Sequence, residues 1–429
     1  MSQGVCILAA GKSRRMGTTQ SKIFTPLGGQ PLLHYAWQAA QSLNPERIVL
    51  VVSKEYYGKV SQEFPAATVV IQDLPLGTGH AVQSLLPLWN TVDQWVVMCG
   101  DTPLLDKDAL QDLMDFQDKG DIHLLTMEPE SSQHAYGRLK MNSQGHVQGI
   151  VEFKDVAWSQ ASNLCYAGVM VIQANDRCRK ALEGLAPHVR GKEIYLTDMA
   201  ESVIRDAGTC THSQGSFEVC LGINTQEDYA QATAILQNRW RQSWMKKGVR
   251  FLQPETNFLS FDTQLEKDVV IHPHVVFGSG VHVGLGSEIL PFCYLESTHI
   301  SDRCRVGPFA HMRGQSRLEK GVHVGSFVEV KKTVMGQDSR AKHLAYLGDT
   351  YVGRSVNVGG GVITCNYDGK AKHTTTLEDG AFIGSLSALV APLTIGKEAM
   401  VAAGSVIRHD VKPGTLAYSL SPQQTREKS

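Results

Sequence analysis

An aliphatic residue returns at every sixth position from Ile300 through Val306, Met312, Leu318, Val324 and Val330. The pattern recurs from Ile383 through Leu389, Ile395, Val401 and Ile407. Glycine often follows it, as in Val306-Gly307, Val324-Gly325, Ile383-Gly384 and Ile395-Gly396. A period of six fits neither the roughly 3.6 residues of a helical turn nor the two-residue alternation of an amphipathic strand. It fits a left-handed parallel β-helix of hexapeptide repeats, in which each triangular coil takes three hexapeptides. The aliphatic residue then points inward on each flat side, and small residues serve the corners. From residue 269 to residue 407, less an expected interruption at 331–350, the pattern predicts about seven coils and a rod of roughly 35 Å at the usual strand spacing. A segment leaving a regular coil is where function is expected, and 331–350 carries lysines, a histidine and a tyrosine.

The first half reads differently. An apolar run at 5–10 predicts a buried strand, and 31–43 a helix with proline in its first turn. Strands at 48–52, 68–71, 95–99, 122–127 and 166–172 alternate with helices at 79–88 and 196–207. This order predicts a Rossmann-like α/β domain with a mainly parallel sheet over 1–224. Residues 225–247 contain no Gly or Pro, with an acidic start and a basic end. They predict a long connecting helix, bounded at 225–248, before a β-helix domain over 249–429.

With 41 Lys+Arg against 42 Asp+Glu, the net charge of −1 gives no overall basic field for nucleic acid. The N-terminal stretch is too polar after Ala10 for a signal peptide, and no apolar run is long enough to insert in a membrane. The expectation is therefore a cytoplasmic protein. Nine dispersed cysteines without a CxxC pair argue against disulfides and against a zinc site.

Strand 5–10 ends in Gly11-Lys12-Ser13-Arg14-Arg15, where small residues let a ligand approach the backbone and Arg15 and Lys22 can hold phosphates. Leu76-Gly77-Thr78-Gly79-His80-Ala81 adds a second small-residue turn. Cys99-Gly100-Asp101 ends a buried strand with a carboxylate, where a parallel sheet would present it to Mg²⁺. Tyr136-Gly137-Arg138, Ile150-Val151-Glu152-Phe153-Lys154-Asp155 and Gly222-Ile223-Asn224-Thr225 follow in order.

Six motifs in this order, joined to the sixfold repeat, resemble the bacterial bifunctional N-acetylglucosamine-1-phosphate uridylyltransferases/glucosamine-1-phosphate N-acetyltransferases. The resemblance spans essentially the whole chain. It implies two reactions, with Mg²⁺ as cofactor and acetyl-CoA and UTP as substrates, in a homotrimer acting on small molecules. Asp101 and Asn224 would hold the metal. Leu8, Ala9, Ala10, Gly11, Arg15, Lys22, Gln72, Gly77, Thr78, Gly137, Glu152 and Tyr166 would complete the UTP and UDP-sugar site.

For acetyl transfer, a free amine needs a base of near-neutral pKa, and the resemblance assigns that role to His343. Arg313, Lys331, Tyr346, Asn357 and Lys372 would grip glucosamine-1-phosphate. Gly360, Asn366, Tyr367, Ser385 and Ala403 would line the acetyl-CoA groove. The chain departs from the family pattern at Ser13, Arg14, Pro75, Tyr166, Gly360 and Leu420; Arg408 is a candidate cation to replace the arginine usual at the Leu420 position. A single-activity nucleotidyltransferase with a structural β-helix is the alternative reading. A third, a metal-binding β-helix, would need three histidines meeting between subunits, with His311 and His323 as candidates to approach one another.

Overall fold

The computed structural model describes residues 1–11, 14–17, 21–115, 120–129, 136–153, 162–188, 193–419 and 425. The chain forms two compact units, Met1–Ile235 and Leu236–Ser429.

The first unit is built on a sheet whose main path runs Cys210–Gln214, Ile122–Met127, Cys165–Gln173, Gln94–Cys99, Gln3–Leu8, Arg47–Ser53, Thr68–Gln72. Cys165–Gln173 is antiparallel to both neighbours; the other pairings along the path are parallel. Central strands such as Gln3–Leu8 and Arg47–Ser53 are apolar throughout their middles because helices cover both faces of a parallel sheet. A hairpin the sequence reading missed, Arg138–Met141 with Val147–Val151, joins the sheet at Cys165. Leu8 pairs with both Val51 and Cys99, so the chain after Leu8 and the chain after Cys99 leave the sheet side by side at its carboxyl edge.

The expected long helix is Gln226–Lys246. At its start the Asp228 carboxylate accepts from the backbone N–H groups of Asn224 and Thr225 at 2.8 and 2.9 Å, an acidic cap that suits the helix dipole. At its end Trp240 and Trp244 pack on the core of the second unit.

That second unit is a left-handed parallel β-helix with three sheets of ten, eight and eight strands among the described residues. The residues of the sixfold pattern form its axis: Ile300, Leu318, Val330, Ile383, Leu389 and Val401 are all fully buried. The prism is longer than the repeat suggested, because the coils begin at Arg250 and are not interrupted at 331–350. Glu329–Lys331, Val334–Met335, Arg340–His343, Tyr346–Gly348 and Thr350–Val352 are regular rungs. The coil there is one residue short: Val330 pairs with Leu347 and Met335 with Val352, 17 positions on rather than 18. The real excursion lies between Ile363–Cys365 and Thr375–Leu377, so that Thr350 pairs with Thr375.

The corners also differ from expectation. Many are turned by non-glycine residues at positive φ, among them Phe292, Phe309, Phe327 and Leu344. Their backbones are fixed by the neighbouring coil, as when Leu344 N–H donates to Ser326 O at 2.9 Å. Along this edge the rings of His274, Phe292, Phe309 and Phe327 stack in sequence at 4.9–5.0 Å.

Candidate active sites

At the carboxyl edge of the first sheet, four of the expected residues meet. Lys22 Nζ forms an ion pair with Asp101 Oδ2. The same ammonium donates to Asn224 Oδ1 at 2.8 Å and to Ile223 O at 2.9 Å. Arg15 Nη2 donates to Asn224 Oδ1 at 2.9 Å. Asp101 and Asn224 therefore direct oxygen atoms at one cationic centre. The backbone pairs them too, since Ile223 N–H donates to Asp101 O at 2.9 Å. Tyr136 supports the turn by accepting from Gly222 N–H at 3.1 Å. Burial pushes its phenol well above the ordinary value, with the nearby Asp228 and Asp101 carboxylates adding to the shift, so the hydroxyl stays neutral.

The approach to this centre is lined as the motifs suggested. Ala9 N–H donates to Val51 O at 2.8 Å, and the space beside Gly11 is open. Gln72 spends its amide on Gly77 O at 2.9 Å and on His80 at 3.1 Å, holding the second turn. Gly77 has φ 110°, and a side chain there would strike the Ile194 backbone, so only glycine fits. Thr78 Oγ1 accepts from Leu196 N–H at 3.1 Å. Gly137 O accepts from Tyr166 N–H at 2.8 Å, and Thr197 donates to Glu152 Oε1 at 2.7 Å. Burial raises the Tyr166 phenol well above its usual pKa. Lys12, Ser13, Lys154, Asp155 and Leu420 lie outside the described residues, as does the side chain of Arg14.

In the prism, Arg313, Lys331 and Gly348 occupy successive rungs of one sheet. Arg313 is half-neutralised by Glu329, with contacts of 2.8 and 2.6 Å to one carboxylate oxygen. Lys331 forms no ion pair among the described residues, though the Asp349 charge acts on it. The Lys372 amine beside it, then partial burial, hold its pKa below the usual lysine range. Lys372 arrives on the excursion after Cys365. That segment is a tight turn: Asp368 accepts from Lys370 N–H at 2.8 Å, Ala371 N–H at 2.7 Å and His373 at 2.7 Å. These bonds hold the Asp368 carboxyl well below its ordinary pKa. The Tyr367 hydroxyl donates to Gly369 O at 2.8 Å, and Asn366 is buried against Asp349. Crowded cations of this kind are stable next to an anion such as a phosphate.

His343 stands at one prism edge, exposed, its imidazole without a hydrogen-bond partner among the described residues. The same edge position on successive coils is held by Ser326, His343, Gly360 and Ser385, as the ladder Leu344 N–H to Ser326 O, Gly361 N–H to His343 O and Leu386 N–H to Gly360 O records. Ala403 continues the column beside Gly404, whose N–H donates to Ser385 O. Four residues assigned to acyl transfer and its cofactor thus share one edge. Asn357 does not join the cation group; it lies on another sheet, in register with Arg340 and Phe382. His311 and His323 lie on different sheets, and among the described residues no three His, Cys, Asp or Glu side chains gather as a metal cluster. No helix among those residues is long and apolar enough to cross a membrane.

Tyr136, read above within a motif but given no role there, supports these sites, as do Asp228, Thr197 and Asp349, which were not singled out from sequence. Only Asp228 left a readable signal, an acidic residue in the first turn of a helix.

A family model described as a MobA-like NTP transferase domain matches residues 5–203. A curated protein from Paramagnetospirillum magneticum, named bifunctional protein GlmU, is 40% identical over 98% of this chain and 94% of its own length. Proteins of the same name from Anaplasma marginale and Paracoccus denitrificans are 36% and 39% identical, over 98% and 97% of this chain and 98% and 94% of their own lengths. The solved structure of the inositol-1-phosphate CTP transferase from T. maritima covers 55% of this chain and 96% of its own, with TM-score 0.43 at 19% identity, a likeness too slight to carry weight.

Proposed function

The chain belongs to the family of bifunctional GlmU proteins, and from that membership we propose that it makes UDP-N-acetylglucosamine in two steps. The prism transfers the acetyl group of acetyl-CoA to the amine of glucosamine-1-phosphate. The α/β unit then joins the acetylated sugar phosphate to UMP from UTP and releases pyrophosphate. The product would supply peptidoglycan and lipopolysaccharide synthesis, and we take the working form to be a cytoplasmic homotrimer.

The observation that carries the reading is the convergence of Asp101 and Asn224 on one cationic centre, flanked by Arg15. Two oxygen ligands suit Mg²⁺, which retains water and takes its remaining ligands from phosphates. When bound, the ion would neutralise charge on the triphosphate. Arg15 and Lys22 add positive charge for the leaving pyrophosphate, and the open backbone at Gly11 admits the nucleotide. The sugar phosphate oxygen attacks the α-phosphorus directly, so positioning and charge suffice.

In the prism, Arg313, Lys331 and Lys372 would hold the sugar phosphate. His343 takes a proton from the amine as its nitrogen attacks the thioester carbonyl, and coenzyme A leaves as the thiol. A purely structural prism would have no use for three converging cations.

The test is incubation with glucosamine-1-phosphate, acetyl-CoA, UTP and Mg²⁺, with detection of UDP-N-acetylglucosamine. His343→Ala should abolish thiol release and spare pyrophosphate release from UTP and N-acetylglucosamine-1-phosphate. Thiol release surviving the substitution would refute the assignment of His343.

A further inference from the structure

We propose that Asp349 is a positioning residue for acetyl transfer, turning the Asn366 carboxamide so that its carbonyl oxygen leads into the acceptor pocket. The inference rests on the acetyltransferase reading above. Asp349 follows the strand Tyr346–Gly348 at φ 50°, and its carboxylate is nearly buried, with 8% of the side chain exposed. Asn366 opens the excursion that carries Lys372, and it too is buried. Its Nδ2 donates to Asp349 Oδ2 at 2.5 Å.

A carboxylate only accepts hydrogen bonds, so this contact decides which end of the carboxamide is nitrogen. Among the described residues no group donates to Asn366 Oδ1. That oxygen is left to accept from a ligand N–H or O–H, and the acceptor amine of an amino sugar is such a donor. Gly348 keeps the space open. A side chain there would collide with the Tyr346 hydroxyl and stand 2.8 Å from Asn366 Nδ2.

Asp349 also closes the excursion at its other end, because Thr375 N–H donates to Asp349 O at 3.3 Å. Its second carboxylate oxygen lies 3.6 Å from Lys332 Nζ, and its charge acts on Lys331. One buried residue therefore sets the amide, anchors the turn that delivers Lys372 and partly offsets the surrounding cations.

A swap of the pair tests this on the full chain. Asn366→Asp alone places two carboxylates face to face, and kcat/KM for acetyl transfer should fall about 100-fold. Asp349→Asn alone keeps a residue tolerant of positive φ, and a smaller loss of about 10-fold is expected. The double variant D349N/N366D restores the hydrogen bond with its donor reversed and still presents an acceptor oxygen to the pocket. It should recover at least about 10-fold over Asn366→Asp. Uridylyl transfer by the other unit and the melting curve report folding in each case. A double variant no better than Asn366→Asp, or Asp349→Asn at the unaltered rate, overturns the inference while leaving the acetyltransferase reading intact. Absence of acetyl transfer in the unaltered chain overturns both.

Discussion

Replacing Lys22 by Met removes the ammonium on which Asp101 and Asn224 converge. The side chains of Lys22 and Asp101 are only 13% and 18% exposed, so water replaces the lost partner poorly. Three acceptors lose a donor: the Asp101 carboxylate, Asn224 Oδ1 and Ile223 O. Breaking a fully buried ion pair costs about 3–5 kcal/mol, and residual exposure here lowers the expected cost to about 2–3 kcal/mol. In a unit of this size that is a fall of roughly 5–10 °C in its melting transition. The same substitution should change the response to Mg²⁺. In the unaltered chain the ion and the ammonium compete for the same two oxygens, so Mg²⁺ alone should raise the transition little. In K22M it should restore about 2–3 kcal/mol at a concentration near 100 times its dissociation constant. The assay is thermal unfolding of both proteins across a Mg²⁺ titration without nucleotide. Equal responses to Mg²⁺ would refute the shared cationic centre, as would K22M melting with the unaltered chain in the absence of metal.

Neighbouring glycines at the prism edge should behave oppositely. Gly360 has ordinary φ, and an added Cβ would sit 3.4 Å from the His343 Cβ, so Gly360→Ala should be neutral or stabilise by about 0.4–1 kcal/mol. Gly361 has φ 77° with Leu386 in the way, so Gly361→Ala should destabilise by more than about 1 kcal/mol; denaturant unfolding compares the two. Asp121 accepts from Thr209 N–H, Asn175 and Arg177 at 2.9, 2.8 and 3.1 Å. Burial alone would raise its pKa, but these hydrogen bonds and the Arg177 charge outweigh it and hold the carboxyl below its ordinary value. Its contribution is therefore present above the unfolded carboxyl pKa and lost as pH falls through the lower folded one. Asp121→Asn should flatten that acid-side loss in urea midpoints measured from pH 6 downward, and an unchanged pH slope would contradict the assignment.

The period-six pattern made the prism legible because every inward residue must be small enough and apolar enough to share one axis. Counting failed where a corner shortened. From Val330 to Met335 and from Leu347 to Val352 the step is five, so a strict sixfold count loses its place and suggests a break that is not there. The true excursion was hidden because Thr364 occupies an inward position without an aliphatic side chain; its hydroxyl instead accepts from Gly348 N–H at 2.8 Å. Parallel strands of the first unit were readable from their apolar runs. The antiparallel course of Cys165–Gln173 was not, since direction depends on connections rather than on side-chain pattern. Arg313 and Lys331 were recognisable as candidates and meet through coil register. The contact of Lys22 with Asp101, and of Asp349 with Asn366, joins distant segments of chain and leaves no local signature.

The edge that carries His343, Gly360, Ser385 and Ala403 has the properties of a ruler. Each mark is one strand spacing of about 4.8 Å from the next, so His343 and Ala403 stand about 14 Å apart along the axis. Intermediate separations are forbidden, because a fractional coil would turn aliphatic residues out of the core and onto the surface. The reach between His343, the proposed base, and the far end of the proposed cofactor groove can therefore change only by whole coils. A lineage that needed a longer or shorter acyl carrier would have to gain or lose about eighteen residues at once.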